Sequence, residues 1–203
     1  MAVRPYVRPG APNAGSRATE QRVLDAAEEM IGEGEFHRAS VAELARRAGV
    51  ARATVFGRFG SKLGVLEALA TRCSGGPEMR GIREAIVVDE PRTAVTAVVR
   101  ASCVLWERQG HILLTLKAVT ELEPGAVALV DDQRADQRTS LEGLVARLDA
   151  AEELRAGLAP HAATAALHMI TSVESFVELR THGELSFDAT VEALTGLATS
   201  LLR

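Results

Sequence analysis

Apolar residues recur along this chain every three or four positions and nowhere alternate with polar ones over a sustained stretch, so it reads as all-α. The first run, Val23, Leu24, Ala27, Met30 and Ile31, makes one helix face and stops at the break from Gly32 to Gly34. A second helix is expected from about Val41. Ser40 followed three positions later by Glu43 has the form of a capping box, in which the hydroxyl accepts from a first-turn N–H and the carboxylate reaches back. Val41, Leu44, Ala45 and Ala48 then share a face that largely excludes Arg46 and Arg47. Gly49 ends this helix, because the reversal needs positive φ, and Val50 can be buried beneath the turn. A third helix is expected from about Ala51 to Phe59, with Val55 and Phe59 inward and Arg52, Ala53, Thr54 and Gly57 outward. Ser61 has the look of a further cap, which puts Lys62 near a helix N-terminus that favours anions such as phosphate.

After Ser74-Gly75-Gly76-Pro77 the pattern predicts helices at about Glu78 to Val87, Pro91 to Arg108, Ile112 to Glu121, Gly125 to Ala150, Pro160 to Thr181 and Ser186 to Leu202. Pro91 and Pro160 suit first-turn positions, where a missing N–H does no harm. The helix from Pro160 carries two stripes. Met169, Val173, Phe176 and Arg180 form one, and His168, Thr171, Ser172 and Ser175 form the other. A polar stripe beside an apolar one can line a ligand cavity, or face solvent or another subunit. In the last helix Val191, Leu194, Leu197, Ala198, Leu201 and Leu202 form an apolar seam suited to another helix.

Two short helices joined by a tight turn, spanning residues 40–59, have the shape that enters a major groove. Between Arg38 and Lys62 the basic residues Arg38, Arg46, Arg47, Arg52, Arg58 and Lys62 are opposed only by Glu43. A basic face is thus expected inside a chain of net charge −4, with a small positive excess up to Arg72 and an acidic remainder. DNA should meet only the N-terminal end. Candidate contacts are Ser40, Arg46, Arg47, Arg52, Ala53, Thr54, Phe56, Gly57, Arg58 and Lys62, with base readout from Arg52 and its neighbours and phosphate anchoring from Lys62.

The segment from about Arg17 to Thr71 resembles the TetR family of transcriptional regulators. The elements that carry the resemblance agree in order: Arg22-Val23-Leu24-Asp25-Ala26-Ala27, Ser40-Val41, Leu44-Ala45, Ala48-Gly49-Val50, Thr54-Val55-Phe56, Phe59 and Ser61-Lys62. The chain departs from the pattern in three places. Ala51 stands where Ser or Thr usually caps the recognition helix, a cost of about 1 kcal/mol. Phe56 stands where Tyr is usual and cannot donate to a phosphate. Arg58 replaces a common His. Gly57 adds a cost of about 1 kcal/mol relative to Ala in a helix interior.

A length of 203 residues leaves room for a second core. The organisation expected is a disordered N-terminal arm (1–16) whose Arg4 and Arg8, with Arg17, could reach a minor groove, a helix-turn-helix domain (17–75), and an all-α regulatory and dimerisation domain (76–203). The resemblance implies a homodimer through the last two helices, a near-palindromic double-stranded operator, and a small-molecule effector that releases a repressor from DNA. Candidate effector contacts are Cys103, Trp106, His111 and Thr115 on the central helices, where regulators of this type hold an effector, with His168, Ser172 and Phe176 from the two stripes of the helix from Pro160. Few aromatics argue against a flat effector stacked between several rings.

Cys73 and Cys103 are too few for a disulfide framework, and a cytoplasmic, bacterial setting is expected. No apolar run is long enough to span a membrane. An enzyme is the rival class, but the chain has no phosphate loop, no nucleophile motif and no metal-spaced cluster. Asp131, Asp132 and Asp136 read as solvated, and His161 and His168 lack nearby carboxylates, so neither a cofactor nor a metal is expected. A third reading is a protein-interaction module whose helix-turn-helix has degenerated at Ala51, Phe56 and Gly57.

Overall fold

The computed structural model describes residues 14–120 and 127–203, and they divide into two compact units between Leu69 and Ala70. The fold is all-helical, and the described residues contain no strand. The expected arm lies outside the described residues as far as residue 13, while Ser16 and Arg17 are already helical. The side chains of Asp131 and Asp132, like the others of residues 127–134, are likewise outside the description.

The first unit holds α1 (Ala14–Gly32), α2 (Val41–Arg47), α3 (Arg52–Phe59) and the start of α4 (Lys62–Ser74). Its buried side chains are those the helical spacing selects: Val23, Ala27, Met30, Leu44, Ala45, Val55, Val65, Leu66 and Leu69, joined by Phe36 from the α1–α2 connection. Burying each of the larger ones contributes roughly 2 kcal/mol. Ser40 caps α2, its hydroxyl accepting from the Glu43 N–H at 3.2 Å. Glu43 does not close the box, because its carboxylate instead accepts from the Arg46 guanidinium, which holds the acid below the ordinary carboxylate pKa. The turn is made by Gly49 at φ 62°, with Val50 half-buried and its N–H bonded to the Ala45 carbonyl at 3.0 Å. Ala51 precedes α3 without any side-chain cap. Ser61 caps α4, accepting from the Gly64 N–H at 3.0 Å.

A spatial constraint on the head lies at Gly64. A Cβ there would meet the Phe59 carbonyl oxygen at 1.9 Å, so only glycine lets the start of α4 cross the end of α3 this closely.

The second unit contains α5 (Pro77–Ile86), α6 (Pro91–Thr120), α7 (Val127–Ala150), α8 (Pro160–Ile170), α9 (Val173–Val177), a π-helical turn (Glu178–His182) and α10 (Phe187–Thr199). The long α6 is the organising element and packs against α5, α7, α9 and α10. Its Val95, Val98, Val99 and Cys103 meet Leu141, Leu144, Leu148, Leu167, Phe176 and Leu194 in one core. Beyond α10 the chain end is tied back, with Arg155 N–H on the Leu201 carbonyl and Arg203 N–H on the Glu153 carbonyl, both at 2.9 Å.

Three elements differ from the sequence pattern. The helices expected on either side of Gly110 are one helix, because Gly110 has a packing role: a Cβ there would press to 3.3 Å from Val173 Cγ2. The helix expected from Pro160 to Thr181 is broken at Thr171 and Ser172. The Thr171 hydroxyl bonds back to the Leu167 carbonyl at 2.8 Å, Ser172 caps α9, and the Thr171 carbonyl is taken by the Trp106 indole N–H at 2.9 Å. The break turns Met169 out to 60% exposure while Val173 and Phe176 stay buried. The seam expected on the last helix is mostly used within the chain. Val191, Leu194, Ala198 and Leu202 are buried, and only Leu197, 52% exposed, is left fully outward among the large residues of α10.

Candidate nucleic-acid interface and effector cavity

In the first unit α3 presents Arg52, Ala53, Phe56 and Gly57 to solvent, with Thr54 half-buried. These four fall at i, i+1, i+4 and i+5 and so share one helix face. Phe56 is 41% exposed, and the Arg52 guanidinium lies over its ring, 5.1 Å from the centroid. Ser40 and Arg46 are also exposed.

The remaining cations are differently placed from the sequence reading. Arg47 is drawn into a cluster with Glu33 at 2.6 Å, Glu35 at 3.1 Å and Glu29 at 4.0 Å, and the Glu33 hydrogen bond raises its pKa further. Arg58 reaches across to α1, donating to Glu20 at 2.9 and 3.0 Å and to the Ser16 hydroxyl. Lys62 donates to the carbonyls of Phe36, His37 and Ala39 at 2.7, 3.0 and 3.1 Å and lies over the Phe36 ring. The expectation of Lys62 as a phosphate anchor therefore gives way to a structural role, in which its ammonium ties α4 to the α1–α2 connection. A count of charges along residues 38–62 misses this, because Glu20, Glu29, Glu33 and Glu35 come from α1 and the connection after it. The basic face is narrower than the sequence suggests.

The second unit holds a partly open cavity of about 530 Å³. One wall is a stripe of α6 at helical spacing: Val98, Ser102, Leu105, Gln109, Ile112 and Leu116. Met79, Ile82 and Ile86 of α5, Gln137, Ser140 and Leu141 of α7, and His168, Thr171 and Ser172 are among the other lining residues. Of the seven expected effector contacts, Trp106, His168 and Ser172 line this cavity. Cys103 and Phe176 belong to the core, Phe176 edge-on to Phe187 at 6.4 Å, and neither His111 nor Thr115 is in the lining. Burial pushes the Cys103 thiol up to about 11, so it stays protonated at neutral pH. The α6 stripe was present in the sequence, but placing a helix break at Gly110 cut it in two.

Gln109 is the most constrained polar group of the lining. Its Nε2 donates to Glu78 Oε2 at 2.9 Å, and Glu78 is ionised, held below the usual carboxylate range first by its bond to Arg108 at 2.7 Å. A carboxylate only accepts, so the amide orientation is fixed, and Gln109 Oε1 is left buried with no donor among the described residues. The lining also carries the charged residues Arg83, Lys117, Asp136 and Glu174. Lys117 is paired with Glu174, and Arg83 donates to the Ser74 carbonyl at 3.3 Å.

A capped helix, a glycine turn and a second helix with a solvent-facing outer side define a helix-turn-helix DNA-binding unit, followed in this chain by a separate all-α unit around a cavity. Residues 23–69 match the family model of bacterial regulatory proteins, tetR family. Over these residues the chain is therefore similar to the tetR-family DNA-binding domain.

Solved structures share the whole fold at low identity. The transcriptional regulator FadR from Bacillus subtilis, crystallised with stearoyl-CoA, is 18% identical over 90% of this chain and 99% of its own, at a TM-score of 0.73. A tetR-family regulatory protein from Rhodococcus RHA1 is 14% identical over 91% and 96%, at 0.74. The ketosteroid transcriptional regulator KstR2 of Mycobacterium tuberculosis is 15% identical over 96% and 98%, at 0.69. No curated protein matches the chain in sequence. Among the described residues no helix is long and apolar enough to cross a membrane.

Proposed function

We propose that this protein is a homodimeric transcriptional repressor that leaves a near-palindromic operator when a small apolar molecule fills the cavity of its second unit. The observation that carries the reading is the pairing, in one chain, of a tetR-family helix-turn-helix with a partly open cavity of about 530 Å³. Relatives of the same fold crystallised with stearoyl-CoA and with triclosan support a ligand-binding role for the second unit. One recognition helix reads only a few base pairs, so two copies on related half-sites about 34 Å apart supply the specificity. Met169 and Leu197, the large apolar residues left exposed on α8 and α10, support dimerisation through these helices.

The effector fits as a largely apolar molecule, since aliphatic side chains of α5, α6 and α7 form much of the wall and the Lys117 charge is already paired. It carries a hydroxyl or N–H for Gln109 Oε1, because a buried acceptor without a donor is costly. Release follows only if the effector binds the DNA-incompetent state more tightly.

Trp106 is the only tryptophan and lines the cavity, so its fluorescence reports binding directly. The test selects duplexes from a random pool with the full chain, then titrates small-molecule libraries by Trp106 fluorescence and by release of the selected duplex. A compound that shifts the fluorescence and releases the DNA supports the repressor reading. Failure to enrich any duplex overturns it in favour of an interaction module.

A further inference from the structure

We infer that Phe56 and Arg52 act as one reading unit, Phe56 contacting the 5-methyl group of a thymine and Arg52 pairing with a guanine on the neighbouring base pair. This rests on the DNA-binding reading above and deepens it. The other phenyl rings near α3 are turned away from solvent, Phe36 fully buried and Phe59 half-buried, whereas Phe56 stands 41% exposed on the outer face. A phenyl ring has no donor or acceptor to offer a phosphate or a base edge. In a major groove its favourable contact is with carbon, and the carbon group that protrudes there is the thymine methyl.

The residues around the ring fit this contact. Gly57 and Ala53 share the exposed face, and a Cβ built on Gly57 meets nothing within 4 Å, so no bulk holds the ring away from a base edge. Arg52 makes no ion pair among the described residues, while Arg46, Arg47 and Arg58 are each held by glutamates. Its guanidinium is stacked on the ring, which restricts the fork before DNA arrives and leaves its N–H donors to pair with guanine O6 and N7. The separation of 5.1 Å between guanidinium and ring centroid suits two groups addressing stacked base pairs about 3.4 Å apart.

The experiment uses the wild-type chain and a duplex selected from a random pool, with each thymine replaced in turn by uracil, which lacks only the methyl group, and each guanine by 7-deazaguanine. Uracil at one symmetry-related pair of thymines is expected to weaken binding about fourfold per half-site, the worth of one buried methyl group. A 7-deazaguanine at the adjacent base pair weakens it by at least as much. Phe56→Ala, a change at an exposed position, should bind the thymine and uracil duplexes equally, and Phe56→Leu should restore part of the preference. Arg52→Ala should lose the guanine discrimination. A uracil scan that leaves binding unchanged everywhere overturns the inference while leaving DNA recognition intact, as does a Phe56→Ala variant that still distinguishes thymine from uracil. Failure to enrich any duplex overturns both the inference and the DNA-binding reading.

Discussion

In the N-terminal unit charged side chains are held against one another and against backbone carbonyls, around a filled interior; in the C-terminal unit the packed helices α5, α6 and α7 leave a cavity beside their core. Arg47, Arg58 and Lys62 tie α2, α3 and α4 in turn to α1 and the connection after it. Across the cavity wall Gln137 bonds Thr171 at 3.3 Å, Trp106 bonds the Thr171 carbonyl, and Lys117 pairs with Glu174. A head that must fit a groove of fixed width gains from rigidity. A receptor for a small molecule gives up packing contacts to keep a cavity, and the molecule that fills it restores them.

The sharpest way to break this contrast is at Gly64. Gly64→Ala drives a Cβ into the Phe59 carbonyl, and the first unit should lose about 3 kcal/mol of stability, read by chemical denaturation. Gly57→Ala, in open space on the neighbouring helix, should instead gain about 1 kcal/mol. Equal effects would deny that the α3–α4 crossing is tightly set.

Lys62→Met removes three charged donors from carbonyls and should cost about 2 kcal/mol. The salt dependence of DNA binding by the folded variant should stay unchanged; a shallower slope would return Lys62 to the phosphate contacts. In the second unit Trp106→Phe leaves the Thr171 carbonyl without its indole partner and should cost about 1 kcal/mol, measured by thermal melting.

Acid tests the same unit. The Glu78 carboxyl is depressed by Arg108, so its stabilising contribution is complete above the ordinary value of 4.5 and is lost as pH falls through the lower folded value. Glu78→Gln should flatten that part of the stability profile below pH 4.5. The smallest effect expected is chemical. A thiol reagent should label Cys73, which lines the cavity, well before Cys103, which is buried and titrates near 11. Labelling in the opposite order would mean that the core around α6 opens more readily than the cavity.

The helix-turn-helix was legible because its determinants are local. Ser40 caps, Gly49 turns, and Val55 faces inward within a few residues of where each stands in the chain. The four buried positions of the last helix were legible as apolar, but not as facing inward rather than toward another copy. The cavity was read only in part. Trp106, His168 and Ser172 were found, whereas Gln109 was missed because a glycine inside a helix looks like its end, and Ser102 because nothing near it in the chain marks it as facing a cavity.

The sequence by itself determined that this chain is all-α, where its N-terminal helices start and stop, and which face of α3 is outward, because capping, turn geometry and helical periodicity act over one or two turns. Tertiary structure decided which cations remain available and which apolar residues surround space rather than one another. Those depend on partners dozens of residues away: Glu20 for Arg58, the 36–39 carbonyls for Lys62, Glu78 for Gln109, and Val173 against Gly110.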